Sequence, residues 1–593
     1  MVLGGPHRPC RRQGHGGTAG PGRLRRTAPL AVLTCRLTPT RRFHVLEGFM
    51  KTHLLRGRSA RLSRLPVLIC LAALALLAGV VPAGAAVARP SAVRAAPPSS
   101  RCSVSYLQSG LHLADVTVNS AAVNATGSFT APGQAPITGL PAFCDVTLTQ
   151  TDPAGNPISI DVWLPSKWNG RFQGVGGAVY ECGPIYSETA TAIQGGYASA
   201  ATDCGVPPAD LLTGSWALNS DKTLNWPLID DFAYRGIHDM SVAGKAVASV
   251  YYPSPLHYSY FNGCSTGGRE GLMEAQRYPG DYNGIVSGAP AINWTKFIPS
   301  EIWPELVMNE SHDFLPACIE NAFTESAVRA CGTTDGVITN PSACDWNPYR
   351  LVGLVTPCGV ITRQDAAVMT KIWDGPETAG GRKLWYGLER GASLAGLAAT
   401  TTTSGVTTGA AFPVSASWLG TWLLKDPSWN WQTLTYAQFN KLFAQSVREF
   451  SSTIATDNPD LSAFRKDGGK IIIWHGLADQ LIFPQGTINY YQRVQHAMGG
   501  PRATDSFARL FLAPGAAHCA SAAGPAPAEP DQPLDSLVNW VEHGKAPGVI
   551  PGATVDPATN VVTDTRPLCL YPLFARYKGH GSTTKASSFT CAR

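Results

Sequence analysis

Charge is scarce in this chain and unevenly placed. Only 15% of the 593 residues are Asp, Glu, Lys or Arg, against 44% hydrophobic. The formal net charge of +6 belongs to the N-terminus: residues 1–88 carry 14 Lys and Arg and a single acid, Glu47, leaving 33 basic and 40 acidic residues in the rest. The charge therefore gives no case for nucleic-acid binding by the main body, which would need a basic face there. Also missing is any Cys-x-x-Cys or tight Cys/His cluster, which argues against a metal site built on cysteine. Composition shows no wholesale disorder, and a chain this long can bury a large core in more than one lobe.

The N-terminal segment has the three-part order of a secretory signal. Lys51, Arg56, Arg58, Arg61 and Arg64 precede the apolar "LPVLICLAALALLAGVV", followed by small residues ending in Ala83-Gly-Ala85 and Ala86-Val-Ala88. Residues 50–88 are predicted to be cleaved near Ala88, giving a secreted, extracellular protein with no membrane attachment. An uncleaved anchor is the competing reading, since the apolar run approaches spanning length. Residues 1–49, rich in Arg, Gly and Pro, read as a disordered extension or a start assigned too far upstream. Setting aside Cys10, Cys35 and Cys70 leaves twelve cysteines, an even number that suggests disulfides in an exported chain.

The remainder alternates strand and helix signals. "PISIDVWLP", "GRFQGVGG" and "YASAATDCG" read as strands, and "DDFAYRGIHDMSVAGKAVASVYY" as a long helix. The aromatic strand "YSYFNGCS" then runs into "GGREGLMEAQRYP", a helix stopped at Pro279. At that junction stands Gly263-Cys-Ser-Thr-Gly267. Chance alone would place roughly half such a glycine-x-serine-x-glycine motif in a chain so rich in glycine. The strand, sharp turn and helix around it are what give it meaning. A nucleophile elbow is too tight for side chains at its flanks, and it lifts the serine above the sheet beside a helix N-terminus.

"NGIVSGAP" continues the alternation, which predicts a mostly parallel α/β sheet. The pattern breaks from about Ala291 to Asn458, a stretch with four cysteines, nine of the fifteen tryptophans and the low-complexity "GLAATTTTSGVTTGAAFP". It reads as an inserted lobe at 291–458 between the two parts of a catalytic domain, 89–290 and 459–593. The alternation returns with "GGKIIIWHGLAD" and "ARLFLAPGAAHC", and "PLDSLVNWVEHG" reads as a closing helix.

A serine hydroxyl needs a histidine to accept its proton and a carboxylate to hold the imidazolium. Asp479 follows one returning strand and His518 the other, in the chain order Ser265, Asp479, His518 of an α/β-hydrolase triad. Asp457 and Asp467 are the rival carboxylates, but neither lies just past a strong apolar strand. His475, inside such a strand, reads as a hydrogen-bonded core histidine. Cys264 precedes the serine and Cys519 follows the histidine. If the triad forms, the two come close enough for a disulfide, although sequence alone leaves the pairing open.

"NGCSTGGREG", "WHGLAD" followed by Ile482 and Pro484, and "APGAAHC" together resemble the tannase and feruloyl esterase family of α/β-hydrolases, which also includes the mono(2-hydroxyethyl) terephthalate hydrolase. The resemblance spans most of residues 100–593. It implies an α/β-hydrolase fold with a mostly parallel sheet and a large inserted lid. It also implies a disulfide-tethered serine esterase in which Ser265 attacks an ester carbonyl, His518 relays the proton and Asp479 fixes the imidazole. The oxyanion would be held by the N–H of Thr266 and one from the glycine turn, assigned to Gly177.

Many members of that family carry a calcium loop with several aspartates in the lid. Here "CGTTDGVITNPSAC" offers only Asp335 and Asp345, fewer carboxylates than calcium usually takes, while Cys331 and Cys344 could staple the loop instead. No cofactor is expected to be required. The expected partner is a small aromatic ester, free or attached to plant polysaccharide or polyphenol, and the insert's tryptophans would divide between the lobe's own core and an acyl pocket. Hydroxycinnamate, gallate and terephthalate monoesters all stay open as substrates. A general carboxylesterase, an acyltransferase and a non-catalytic binding protein are the alternatives, and oligomeric state is left open.

Overall fold

The computed structural model describes residues 98–207, 210–520, 529–556, 559 and 561–593. The predicted extension and signal at 1–88 lie outside the described residues. Among those described, no helix is long and apolar enough to cross a membrane.

Nine strands form one sheet. In chain order they are β1 (Val116–Asn124), β2 (Phe143–Thr151), β3 (Pro157–Pro165), β4 (Arg171–Val175), β5 (Ala198–Thr202), β6 (Tyr258–Cys264), β7 (Gly284–Gly288), β8 (Lys470–Gly476) and β9 (Ala508–Ala513). Their order across the sheet is β1-β2-β3-β5-β4-β6-β7-β8-β9. The first three join antiparallel, as does β3 to β5, and every pair from β5 onward is parallel. β5 and β7 are buried along their whole length, as parallel strands covered on both faces must be.

Helices clothe both faces. α1 (Gly236–Tyr251) and α2 (Thr266–Arg277) pack on one side, where Phe172, Phe261, Ile285, Ile471 and Ile473 contribute to the main core. Residues one step along the same strands, Tyr260, Val286, Ile472 and Trp474, point the other way and meet Leu537 and Trp540 of the closing helix Pro533–His543. This is the period of two that a pleated strand imposes. The long helix expected at 230–252 is interrupted by a widened turn at Asp231–Arg235 before α1 begins.

Between the end of β7 and the start of β8 the chain adds no strand to the large sheet. It forms α3 (Trp294–Ser300), α4 (Trp303–Ser311), α5 (Ala317–Cys331), α6 (Arg363–Asp374) and α7 (Tyr436–Ile454). Their apolar residues, Trp294, Trp418 and Trp422 among them, are continuous with the core under α1 and α2. All twelve cysteines beyond residue 100 pair: 102–144, 182–204, 264–519, 318–358, 331–344 and 569–591.

Candidate active site

The serine sits where the sheet forces a sharp turn. β6 ends at Cys264, α2 begins at Thr266, and Ser265 between them has φ 61° and ψ −123°, a conformation that non-glycine residues adopt only under strain. The strain is held in place: the Ser265 N–H donates to the carbonyl of Gly288 at 3.0 Å, and its carbonyl accepts from Ala291 at 3.0 Å. A Cβ at Gly263 would lie 2.6 Å from the carbonyl carbon of Gly267, and one at Gly176 would lie 2.4 Å from the Gly267 Cα. Three stretches of backbone meet here with no room for a side chain.

The loops after β8 and β9 bring the other two residues to it. His518 Nε2 lies 3.0 Å from Ser265 Oγ, and His518 Nδ1 lies 2.8 Å from Asp479 Oδ2. Because Nδ1 faces a carboxylate, it carries the proton, and Nε2 is left to accept one from the serine. Asp479 is wholly buried. Burial alone would raise its pKa, but the charge of His518 and the hydrogen bonds from His475 and His518 hold it well below the usual carboxylate range. Its other oxygen, Oδ1, accepts from the N–H groups of Leu481 at 2.9 Å and Ile482 at 2.8 Å.

His475 has a larger part than its sequence position indicated. It is buried and hydrogen-bonded, as expected, yet its Nε2 lies 3.0 Å from Asp479 Oδ2 and 3.1 Å from the Ile482 carbonyl, while Nδ1 lies 2.8 Å from Thr487 Oγ1. Two acceptors at Nε2 mean that this nitrogen carries a proton. One carboxylate oxygen is thus shared by two imidazoles. The spacing of His475 and Asp479, four residues apart at the end of a buried strand, is the one signal that could have revealed it.

Cys264 and Cys519 are disulfide-bonded, with Cα atoms 5.9 Å apart, tying the elbow to the histidine loop. Gly177 requires a correction. It borders the cavity above Ser265, but its N–H donates to Oε2 of the buried Glu270 at 2.9 Å, and the next N–H, of Ala178, donates to the Glu181 carbonyl at 3.0 Å. A single N–H already committed to a carboxyl is not aimed at the serine, so this geometry does not support Gly177 as an oxyanion donor. Glu270 belongs to α2, as does Thr266, so the helix that starts at the elbow also pins the glycine turn. Burial pushes the Glu270 carboxyl up to about 8, with Arg269 nearby opposing the rise.

The serine opens into a cavity of about 460 Å³. Trp294, Phe297, Ile298, Phe412 and Val414 from the insert supply much of its apolar wall, with Trp474, Leu481 and Ile482 from the sheet side. Such a lining suits an aromatic or aliphatic group of modest size. Four of the insert's other tryptophans pack in pairs: Trp418 and Trp422 lie with ring centroids 4.8 Å apart, and Trp346 and Trp373 6.0 Å apart.

The shortened lid loop is held by contacts within the protein. Asp335 is ion-paired with the buried Arg566, Asp345 is exposed, and Cys331 is bonded to Cys344 across the loop.

A mostly parallel sheet with a serine on a strained strand-to-helix turn, and a histidine and an aspartate from later loops, defines an α/β-hydrolase. Residues 144–592 match the family model described as tannase and feruloyl esterase. The chain is 44% identical over 462 residues to a probable feruloyl esterase of Arthroderma benhamiae, covering 76% of this chain and 86% of that one. It is 30% identical to feruloyl esterase B of Aspergillus niger, covering 85% and 98%. The crystal structure of feruloyl esterase B from Aspergillus oryzae superimposes with a TM-score of 0.73 at 27% identity, covering 84% and 100%. The protein belongs to the tannase and feruloyl esterase family and is a carboxylic ester hydrolase.

Proposed function

We propose that this protein cleaves esters of aromatic acids, of the feruloyl or galloyl kind, through an acyl-enzyme on Ser265. The observation that carries the reading is the continuous chain from Ser265 Oγ through His518 to Asp479, at 3.0 and 2.8 Å, at the floor of an apolar cavity. The relatives named as feruloyl esterases support the acyl class.

In this mechanism His518 Nε2 takes the Ser265 proton as Oγ attacks the ester carbonyl. The imidazolium is stabilised by Asp479, whose carboxylate stays ionised. The oxyanion develops near the N-terminus of α2, where the Thr266 N–H and the helix dipole favour negative charge. His518 then protonates the departing alcohol, and water repeats the sequence to release the acid. Asp335 serves as a salt-bridge partner of Arg566 in the lid, without calcium. Six disulfides support a secreted protein acting outside the cell, on esters either free or attached to plant material.

Hydrolysis of methyl ferulate, methyl gallate and a terephthalate monoester, each beside Ser265→Ala, tests the reading. Release of ferulate or gallate, lost in the variant, is the expected result. Cleavage of p-nitrophenyl acetate without any aromatic ester would leave the triad standing and remove the acyl class.

A further inference from the structure

One polar group in the cavity has no part in the reaction chemistry. Glu301 follows α3 and borders the cavity beside Trp294, Phe297 and Ile298, yet it is only 2% exposed. Its Oε2 is buried and has no hydrogen-bond partner. A carboxyl so placed is costly unless something pairs with it, and buried polar atoms in folded proteins nearly always find a partner. Burial, and then the negative charge of Asp479, raise its pKa well above the usual carboxylate range. In its protonated form it can donate one hydrogen bond and accept others.

We infer that Glu301 is a specificity-determining residue that reads a hydroxyl on the aromatic ring of the bound acyl group. The inference rests on the aromatic-ester reading and deepens it. A ring that enters this cavity meets apolar walls, and a phenolic O–H reaching Glu301 supplies the missing partner, donating to one carboxyl oxygen or accepting from the other. An unsubstituted ring buries the carboxyl and leaves it unpaired, which sites built for a hydroxyl penalise strongly. A ring bearing a carboxylate fares worse still. No lysine or arginine is among the described residues lining the cavity, whose ionisable members besides His518 are Glu188 and Glu301. A substrate carboxylate would be taken out of water here with no cation to pair with it. Of the three acyl classes, hydroxycinnamate and gallate fit and the terephthalate monoester does not.

The test compares kcat/KM for methyl 4-hydroxycinnamate, methyl cinnamate and methyl 4-carboxycinnamate in the wild type, Glu301→Gln and Glu301→Met. The wild type should favour the hydroxy ester over the plain one by about 10- to 100-fold and scarcely turn over the carboxy ester. Glu301→Gln, whose amide also donates and accepts, should keep most of the preference. Glu301→Met should reduce it to within about threefold by losing hydroxy-ester turnover while methyl cinnamate is still cleaved. An unchanged ratio in Glu301→Met overturns the inference, and so does loss of both esters, because replacing a carboxyl that only penalises the plain ring should not slow turnover of the plain ester. If the wild type cleaves p-nitrophenyl acetate but no aromatic ester, the aromatic reading itself has failed and this inference falls with it.

Discussion

Asp479, itself wholly buried, accepts four hydrogen bonds from two imidazoles and two backbone N–H groups. Its depressed pKa gives the stability effect a sign. An unfolded aspartate titrates near 3.9, so the stabilisation is fully present above about that pH and is lost as pH falls through the lower folded-state value. The expected outcome is that Asp479→Asn melts below the wild type at pH 6, and that the gap narrows steadily on going from about pH 4 to pH 2. A gap that stays constant over that range would mean the carboxylate is not held in its charged form. At neutral pH the same variant should lose on the order of 10³- to 10⁴-fold in kcat, because an amide no longer stabilises the charged imidazole. His475→Phe removes one donor from Oδ2 but leaves His518 in place, so a smaller loss, about tenfold in kcat, is expected from steady-state kinetics.

At the scale of elements, the elbow depends on β6, α2 and the turn after β4 crowding one point. Gly263→Ala is expected to lower stability by about 1–3 kcal/mol, since the obstructing atoms are backbone and cannot swing aside. A melting temperature equal to the wild type's would show that the junction is looser than described. This junction was legible in the sequence because glycine spacing, an aromatic strand and a helix stop fall together within about twenty residues. The two loops that carry Asp479 and His518 were legible for a related reason: both follow short buried strands that read as uninterrupted apolar runs. The antiparallel strands β1 and β2 were not read: β1 buries only Val116 and Val118 of its nine residues, and the buried Phe143, Cys144, Val146 and Leu148 of β2 do not alternate strictly. Gly177 was misread because its partner, Glu270, lies 93 residues away and nothing local marks that contact. Glu301 escaped notice for the same reason, as its burial is made by chain segments distant in sequence.

Across the whole molecule, the disulfide 264–519 closes a loop of 255 residues that contains the entire insert. In the chain-entropy model such a closure restricts the unfolded chain by about 5 kcal/mol. The doubly substituted Cys264→Ser, Cys519→Ser protein should therefore melt well below the wild type and lose activity out of proportion to its residual folding, as the histidine loop drifts from the elbow. Equal activity per folded molecule, judged by circular dichroism at the assay temperature, would assign the bond to stability alone. The insert packs into the same core as the sheet, so its aromatic residues both complete that core and wall the cavity. That dual use is why counting tryptophans in the sequence could not separate pocket from packing.

Covalent labelling with a fluorophosphonate, followed by peptide mass mapping, tests most directly whether Ser265 is the nucleophile. One label per molecule is expected, on the peptide containing Ser265, with activity falling in proportion to labelling and no label on Ser265→Ala. A label on another residue, or full ester hydrolysis by protein labelled at Ser265, would contradict it.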